Sequence, residues 1–329
     1  MRIIAPMMIL IMLTATLAGC SGDDDSGLSK EELVQQIRNG DAGNDLSGVD
    51  LSGSDLSGLQ NGELYGVDFT GADLSLVDFT DTVLSYVDFT DAKLDYAIFS
   101  NTMLVGATFS GDYSSVTFQD SNLESTGWYS GNLFWLRFDN VDLSWASFGG
   151  GGSEWGITMD SVWFSDSTLD GTDFQCLENE GDVRFYRNSI SARMTQLYAG
   201  CDYVDWSDTH FQQNTFSDTD LEGGNFDDAH FFCNTFINSD LSNNDFTTTV
   251  FRSSWYDTNE VCPQTFTNTW LEYSTFSSTG GSGTSFSGSN LQFAEFGPYG
   301  INEDITWNDT ICPDGTNSDD NENTCENNL

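Results

Sequence analysis

The chain has very few basic side chains. Its 329 residues contain 9 Lys and Arg against 52 Asp and Glu, which gives a formal net charge of −43. A surface this acidic repels phosphate backbones and anionic headgroups, so nucleic acid and acidic lipid are poor partners. Cations and basic proteins stay open as partners. The alternative that needs no partner is that the acidic surface keeps a sheet-rich protein soluble.

Histidine is equally scarce, with two residues in the whole chain. Two imidazoles without a third clear ligand make a poor zinc site. The sequence contains no glycine-rich phosphate loop after a strand, no nucleophile elbow and no zinc-protease helix. Paired carboxylates on a uniformly acidic chain carry no specificity. The sequence therefore predicts no enzymatic activity and no cofactor, and an enzyme acting from inserted loops is an alternative that no residue set supports.

Long apolar runs are missing except for one at the N-terminus, over residues 3–13. The run follows Arg2 and is too short to span a membrane, but it suits the apolar region of a signal peptide. Residues 17–20, Leu-Ala-Gly-Cys, resemble the lipobox of bacterial lipoproteins. The resemblance implies cleavage after residue 19 and acyl chains on Cys20, and more than one such chain gives stable anchoring.

The same resemblance implies the outer membrane. Ser21 stands where inner-membrane lipoproteins often carry Asp. Residues 20–28 then form an acidic tether between the lipid and the folded part. A soluble secreted protein is the alternative.

The dominant positive feature is a five-residue period. Every fifth residue from Leu64 to Phe109 is Leu or Phe. This period fits neither a helix nor a flat strand, but it fits a coil with four short sides that each bury one large residue. Positions twenty apart then stack in four columns. Small or β-branched residues precede each large one by two positions, and the other positions are mostly polar, as an outer surface rich in turns requires.

These units resemble the pentapeptide-repeat family, whose units read roughly Ala-(Asp/Asn)-Leu-X-X. Residues 67–71, Val-Asp-Phe-Thr-Gly, and 72–76, Ala-Asp-Leu-Ser-Leu, match closely, and the resemblance extends over residues 44–296. It implies an all-β fold, a right-handed quadrilateral (four-sided) β-helix solenoid. At the spacing of neighbouring strands, about twelve coils would give a rod on the order of 60 Å long.

A short capping helix is predicted before the repeats. Ser29 to Glu32 form a capping box, and Gly40 is a natural helix stop. The predicted organisation is a signal peptide at 1–19, the tether at 20–28, the capping helix at 29–40, the β-helix with inserted loops at 41–298, and a C-terminal cap with a disulfide tail at 299–329.

The period breaks at insertions near residues 149–156, 175–201 and 252–263. Matching Leu with Leu and Phe with Phe across these breaks assigns the later columns. This assignment puts Ile190 beneath Phe164 and Phe185 beneath Met159.

Six of the 7 cysteines follow Cys20, and an even number favours disulfides in an exported chain, although six allow 15 connectivities. Cys233 and Cys262 lie at one corner of successive coils, so their pairing is favoured. A second pair would close a short tail loop, and the third follows by elimination and brackets an irregular segment. The favoured pairs are Cys233–Cys262, Cys312–Cys325 and Cys176–Cys201.

Two groups of outward side chains are candidates for binding. His210 and His230 lie twenty residues apart and should stack on one face, either as a metal-binding or pH-sensing patch or as an incidental pair. Four aromatic residues also fall at outward positions, where they either form a protein- or glycan-binding patch or pack under the insertions. They are Phe134, Trp135, Trp145 and Trp163.

The C-terminal tail shows a weak pattern for calcium. Asn317, Asp319, Asn321 and Asn323 alternate, but the glycine that a calcium loop needs at its sixth position is absent. Weak Ca²⁺ binding there is an alternative only.

The sequence thus predicts a non-enzymatic β-helix, lipid-anchored at the bacterial outer membrane on its periplasmic or outer side. Its predicted role is a structural, adhesion or binding scaffold with an unidentified protein or glycan partner. Any specific function is expected at the insertions and the C-terminal tail, where the five-residue period is interrupted. A cation-binding surface protein is one alternative. The other follows from the resemblance, since some cytoplasmic pentapeptide-repeat proteins mimic duplex DNA and shield a type II topoisomerase. The lipobox and the cysteines argue against that role, because an anchored exported protein cannot meet the enzyme.

Overall fold

The protein folds as an all-β solenoid of stacked four-sided coils, which confirms the predicted fold class. A computed structural model describes residues 28–149, 156–174, 177–191, 204–246, 249–252, 264–276, 284–296 and 305–326. Helix α1 is Lys30–Asn39, and a single 3₁₀ turn is Ser318–Asp320.

The strands are short, with two to four residues each. In chain order they are β1 Ile98–Ser100, β2 Thr108–Phe109, β3 Tyr113–Ser114, β4 Thr117–Gln119, β5 Gly127–Trp128, β6 Gly131–Phe134, β7 Arg137–Asp139, β8 Ser147–Phe148, β9 Ile157–Asp160, β10 Trp163–Ser165, β11 Thr168–Asp170, β12 Asp173–Phe174, β13 Leu177–Asn179, β14 Arg184–Tyr186, β15 Ser189–Ser191, β16 His210–Gln212, β17 Thr215–Ser217, β18 His230–Phe232, β19 Thr235–Ile237, β20 Asp245–Phe246, β21 Val250–Arg252, β22 Thr265–Thr267, β23 Thr275–Phe276, β24 Ser285–Ser287, β25 Glu295–Phe296 and β26 Thr306–Asn308.

Strands of successive coils pair in parallel and form long sheets along the solenoid. The largest sheet, which we call the histidine face, runs β1-β4-β7-β10-β14-β16-β18-β21. The next side of the coil, which we call the threonine face, runs β11-β15-β17-β19-β22-β24-β26. Shorter sheets form the other sides, in the orders β12-β8-β5-β2, β13-β9-β6-β3 and β20-β23-β25. Single parallel bridges such as Asp50 to Asp73 join the first coils.

Large side chains fill the interior in continuous columns. The inward residues from Leu64 to Phe109 are buried, and in several columns the aromatic rings of adjacent coils stack nearly parallel. Phe79 and Phe99, for example, have ring centroids 5.0 Å apart and planes 15° apart. Burying one Leu or Phe contributes roughly 1.5–3 kcal/mol, so the repeated core offsets the repulsion between carboxylates stacked outside.

Helix α1 covers the N-terminal end of the solenoid. The predicted capping box is present, because the Ser29 hydroxyl accepts a hydrogen bond from the Glu32 backbone N–H and the Ser29 backbone N–H donates to the Glu32 carboxylate at 2.9 Å. Gly40 ends the helix with φ of 73°, and Ile37 packs into the core. The helix thereby protects an edge that would otherwise recruit other strands.

The C-terminal tail closes the other end. Ile311 and Asn317 form an antiparallel bridge, and the Ser318 hydroxyl accepts a hydrogen bond from the Thr310 backbone N–H. The predicted disulfide between Cys312 and Cys325 is present, with both residues fully buried. The tail therefore packs back onto the last coil instead of extending from it.

Buried polar residues line the corner between the histidine face and the threonine face. Asn188, Asn214 and Asn234 occupy successive coils, and each amide oxygen accepts the backbone N–H of the residue one coil before. Gln264 continues this ladder by accepting from Asn234 at 2.8 Å. The side chains satisfy backbone groups that the turn leaves without a strand partner.

One assignment made from the sequence is wrong. Ile190 does not lie beneath Phe164, because β10 pairs with β14 and places Phe185 there. Ile190 instead lies beneath Leu169, and the later columns move on by one side of the coil. Matching residue types failed because backbone pairing sets the register, and one column accepts Leu, Ile and Phe in turn.

Removing one member of the buried amide ladder should destabilise the solenoid. Asn214→Ala leaves the backbone N–H of Asn188 and the carbonyl of Phe185 without their partners inside the protein. We expect a loss of about 2–4 kcal/mol in the free energy of unfolding, measured by denaturant titration. The control Asn132→Ala removes an exposed amide bonded to Asp112 and should cost under about 1 kcal/mol. Equal losses in the two variants would contradict a structural role for the ladder.

Candidate binding surfaces

The histidine face carries a row of cationic and aromatic side chains on an otherwise acidic molecule. Strand pairing in register places these outward residues one above the other along the solenoid. The row contains Arg137, Trp163, Arg184, His210 and His230. The parallel stack brings together residues that lie far apart in the sequence, and it places several cations on one face of a strongly acidic chain.

Trp163 lies between two guanidinium groups. The Arg137 guanidinium carbon is 4.3 Å from the Trp163 ring centroid, and that of Arg184 is 5.4 Å away on the neighbouring strand. Each contact contributes roughly 0.5–1 kcal/mol at an exposed position. The predicted outward position of Trp163 is correct, but its ring already packs against protein groups.

The two histidines stack as predicted. Their ring centroids lie 4.7 Å apart with the planes 2° from parallel. The His210 Nδ1 is 3.5 Å from a carboxylate oxygen of Asp182, and Asp182 also accepts a hydrogen bond from Arg184 Nε at 2.7 Å. Partial burial lowers the pKa of His210 below its ordinary value of 6.5, and the neighbouring charge of His230 lowers it further, while Asp182 opposes both.

No metal centre is assembled around this pair. Within the described residues, no group of three or more His, Cys, Asp or Glu side chains is arranged to hold a metal ion. In the tail, Asn317 and Asp319 accept backbone hydrogen bonds that hold the terminal turn together.

A second surface is a strip of exposed apolar residues, which we call the aromatic corner: Leu76, Tyr96, Ile98, Phe134 and Trp135. Leu76, Tyr96 and Trp135 are 64%, 62% and 60% exposed. They occupy the same corner on different coils, as the backbone bonds from Leu76 to Asp95 and from Tyr96 to Ser114 show. The rings of Phe134 and Trp135 lie 5.7 Å apart.

The backbone is left-handed at this strip, as it is at other corners of the solenoid. Leu76, Tyr96 and Trp135 have φ of 62°, 61° and 59°, in the left-handed region that disfavours bulky side chains by roughly 1–2 kcal/mol. Ser115 holds the same corner position on the coil between Tyr96 and Trp135. The corner does not need large apolar residues, so their presence and exposure need another explanation.

Aromatic residues at a different corner have a packing role instead. Trp145 is 68% exposed, but a Cβ atom on Gly171 of the next coil would lie only 2.5 Å from its ring. Tyr86 covers Gly106 in the same manner. Of the four aromatic residues singled out in the sequence, Phe134 and Trp135 therefore remain available for binding, while Trp145 and Trp163 pack against the protein.

The remaining sequence-based sites are only partly described. Cys233 is disulfide-bonded at a corner of the solenoid. Cys20, Cys176, Cys201 and Cys262 lie outside the described residues, as do most of the insertions where specific function was expected. Among the described helices, none combines the length and apolar character that crossing a membrane requires.

The aromatic corner has a signal in the sequence. Leu76, Tyr96 and Trp135 each follow an inward Leu by two residues, where Gly, Asp, Asn or Ser usually stands. A large apolar residue at this turn position is a departure from the repeat that can be found without a structure.

Comparison with known proteins identifies the repeat. The family model described as pentapeptide repeats matches eight copies over residues 63–95 and 72–111. Similar solved structures include HetL, a pentapeptide-repeat protein involved in heterocyst differentiation regulation from the cyanobacterium Nostoc sp. strain PCC 7120. The two sequences are 17% identical, and the alignment covers 87% of this chain and 98% of HetL with a TM-score of 0.24.

A second similar structure is a trypsin-treated form of QnrB1, a plasmid-mediated fluoroquinolone resistance protein. The two sequences are 15% identical, and the alignment covers 77% of this chain and 92% of QnrB1 with a TM-score of 0.25. At these scores neither structure supports an argument about function. No curated protein matches the sequence.

The lowered pKa of His210 gives a testable dependence on pH. Because folding favours the neutral imidazole, its contribution to stability is complete above pH 6.5 and is lost as the pH falls from 6.5 through the folded-state pKa. In an NMR titration, His230→Gln should raise the pKa of His210 because it removes a neighbouring positive charge. Asp182→Asn should lower that pKa further. Shifts of the same sign in both variants would contradict the described arrangement.

Proposed function

We propose that this chain, a pentapeptide-repeat protein, is a non-enzymatic scaffold that binds a protein partner through its aromatic corner and is anchored by lipid to the outer membrane. The observation that carries the proposal is the strip itself. Large apolar side chains stand at Leu76, Tyr96 and Trp135, where they are mostly exposed and the backbone disfavours them. Residues kept against such a cost point to a use outside the fold.

The surroundings of the strip indicate the chemistry of the partner. Asp78, Asp95, Asp112 and Asp160 lie on the strands and turns beside the corner, within a chain of net charge −43. A protein surface with apolar side chains surrounded by Lys and Arg would bury the aromatic rings and pair with these carboxylates. Long-range attraction would also speed its association at low ionic strength.

The lipid anchor rests on the sequence alone. The short apolar run at residues 3–13 followed by Leu-Ala-Gly-Cys supports lipidation of Cys20, and Ser21 supports transport to the outer membrane. The tether would then hold the N-terminal helix near the lipid surface and leave the length of the solenoid free for partners. The acidic surface would keep the rod from lying flat on anionic headgroups.

Partner binding can be tested by crosslinking in intact cells. A photo-reactive residue at position 135 or 96 should give a discrete crosslinked adduct, and the same residue at position 273 should give none. Tyr273 is a suitable control because it is also an exposed aromatic residue at a left-handed corner, with 59% exposure and φ of 58°, but its ring stacks on that of Phe293 at 5.0 Å. Adding Leu76→Ser to the position-96 crosslinker should remove most of the adduct. Equal adducts at positions 135 and 273 would contradict a specific surface.

Anchoring can be tested by metabolic labelling with a radioactive fatty acid. The full chain should incorporate label and sediment with outer-membrane fragments, whereas Cys20→Ala should lose both properties because the acyl chains attach to that sulfur. Ser21→Asp should keep the label and shift the protein to the inner membrane. An unlabelled protein in the soluble fraction of wild-type cells would refute the anchor without bearing on the aromatic corner.

A further inference from the structure

The threonine face is uncharged over almost its whole area. Each of its seven strands buries its central residue and turns the flanking two outward, which creates two outward rows. The first row consists entirely of hydroxyl residues: Thr168, Ser189, Thr215, Thr235, Thr265, Ser285 and Thr306. The second row is Asp170, Ser191, Ser217, Ile237, Thr267, Ser287 and Asn308. One carboxylate in fourteen positions is a low share for a chain of net charge −43.

The uniformity belongs to this face and not to the repeat in general. On the histidine face, the corresponding first row mixes apolar, cationic and aromatic residues, including Ile98, Arg137 and Trp163. Both faces have the same strand geometry, so β-propensity alone does not account for a row of Thr and Ser. The row of Thr and Ser is then explained by a binding role of the outer surface of the threonine face.

The hydroxyls of the first row are available to solvent. Within the described residues, the side-chain hydroxyls of Thr215, Thr235, Thr265 and Ser285 make no hydrogen bond to the protein. The buried hydroxyls of the same region behave differently, since those of Thr219 and Ser289 donate to backbone carbonyls. The outward hydroxyls therefore keep their donors and acceptors for water or for a ligand.

The face is also regular. The rings directly beneath it stack with centroid spacings of 4.6 Å for Phe216 to Phe236 and 4.9 Å for both Phe236 to Phe266 and Phe266 to Phe286. Their planes differ by only 7°, 2° and 10°, and the strands above them pair in parallel and in register, so the same arrangement repeats from coil to coil. Two residues along a strand span about 6.6 Å, so the outward side chains form a rectangular grid.

We propose that the threonine face is a binding surface for crystalline water, that is, for ice. A hydroxyl both donates and accepts hydrogen bonds, so it can replace one water molecule in an ordered lattice. Carboxylate and ammonium groups cannot, because one only accepts and the other only donates. A rigid grid holds its bound waters at fixed spacings in advance, which reduces the entropy lost when they join a growing crystal. The methyl groups of the threonines fill the space between these waters.

The face lacks what other partners need. Neither outward row contains an aromatic residue, although stacking rings are the usual platform for neutral sugars, and the exposed rings among the described residues lie outside these two rows. Arg, Trp and Tyr, which dominate protein interfaces, are also absent from both rows. Nucleic acid would require cations that the face does not offer. An uncharged, repeating lattice is the partner that its chemistry and spacing fit.

The test uses the full chain carrying Cys20→Ala, so that acyl chains play no part. The protein is frozen slowly from dilute solution, and its fraction inside the ice is measured against an inert globular protein. We expect several-fold enrichment in ice, which Thr235→Lys and Thr265→Lys should abolish by placing an ammonium group within the grid. Thr117→Lys is the matched control, because Thr117 begins the equivalent strand β4 on the histidine face, and it should keep full enrichment.

Thermal unfolding of each variant, followed by circular dichroism, shows whether a variant that loses enrichment in ice is still folded. Thr235→Val is a milder change that replaces the hydroxyl with a methyl group. It should reduce enrichment while leaving the melting curve unchanged. The proposal is overturned if the parent chain enters ice no more than the inert protein, or if Thr235→Lys and Thr117→Lys behave alike. Retention on insoluble cellulose or chitin that Thr235→Lys abolishes, without enrichment in ice, would also overturn it and assign the face to a polysaccharide.

Discussion

Each coil of this protein must lie one strand spacing from the next, with its strands paired residue by residue. Identical positions of successive coils are therefore always neighbours, and a favourable or unfavourable contact is repeated along the whole rod. Stacked phenylalanine rings exploit the repetition in the core. At one corner the same constraint would stack carboxylates, and the chain instead alternates them with amides, as where Asn101 donates to Asp81 and Asn140 donates to Asp120.

The spacing of Leu and Phe was enough to predict the four-sided solenoid and the stacking of His210 on His230, and the capping box at Ser29 was enough to predict the helix. It was not enough to follow the columns past Phe174, because the length of an insertion and the type of a core residue do not determine which strand pairs with which. The structure also separates aromatic residues that look alike in the sequence. Trp145 packs over Gly171 of the next coil, whereas Ser161 holds the equivalent position after Trp135, and the residue that decides this lies one coil away along the chain.

A rod with four sides can carry different surfaces without compromise among them, since each side is built from its own positions in the coil. The aromatic corner combines exposed rings with surrounding carboxylates and suits a protein partner. The threonine face has no ring and a single carboxylate among its fourteen outward positions, and it suits an uncharged lattice. The row with Arg137, Trp163 and Arg184 is a third kind of surface. Both guanidinium groups contact the Trp163 ring, and Arg184 also donates a hydrogen bond to Asp182.

The contact between Tyr86 and Gly106 has a consequence for how such a chain can change over time. A Cβ atom on Gly106 would lie 2.7 Å from the Tyr86 ring. A larger residue at position 106 would therefore require a smaller side chain at position 86, one coil earlier, or a shift of the Tyr86 ring. The substitutions that one position accepts therefore depend on the residue twenty positions away and hardly at all on its neighbours in the sequence. Duplicating a whole coil would preserve such pairs, whereas drift at single positions would break them, and this favours growth of the rod by entire turns.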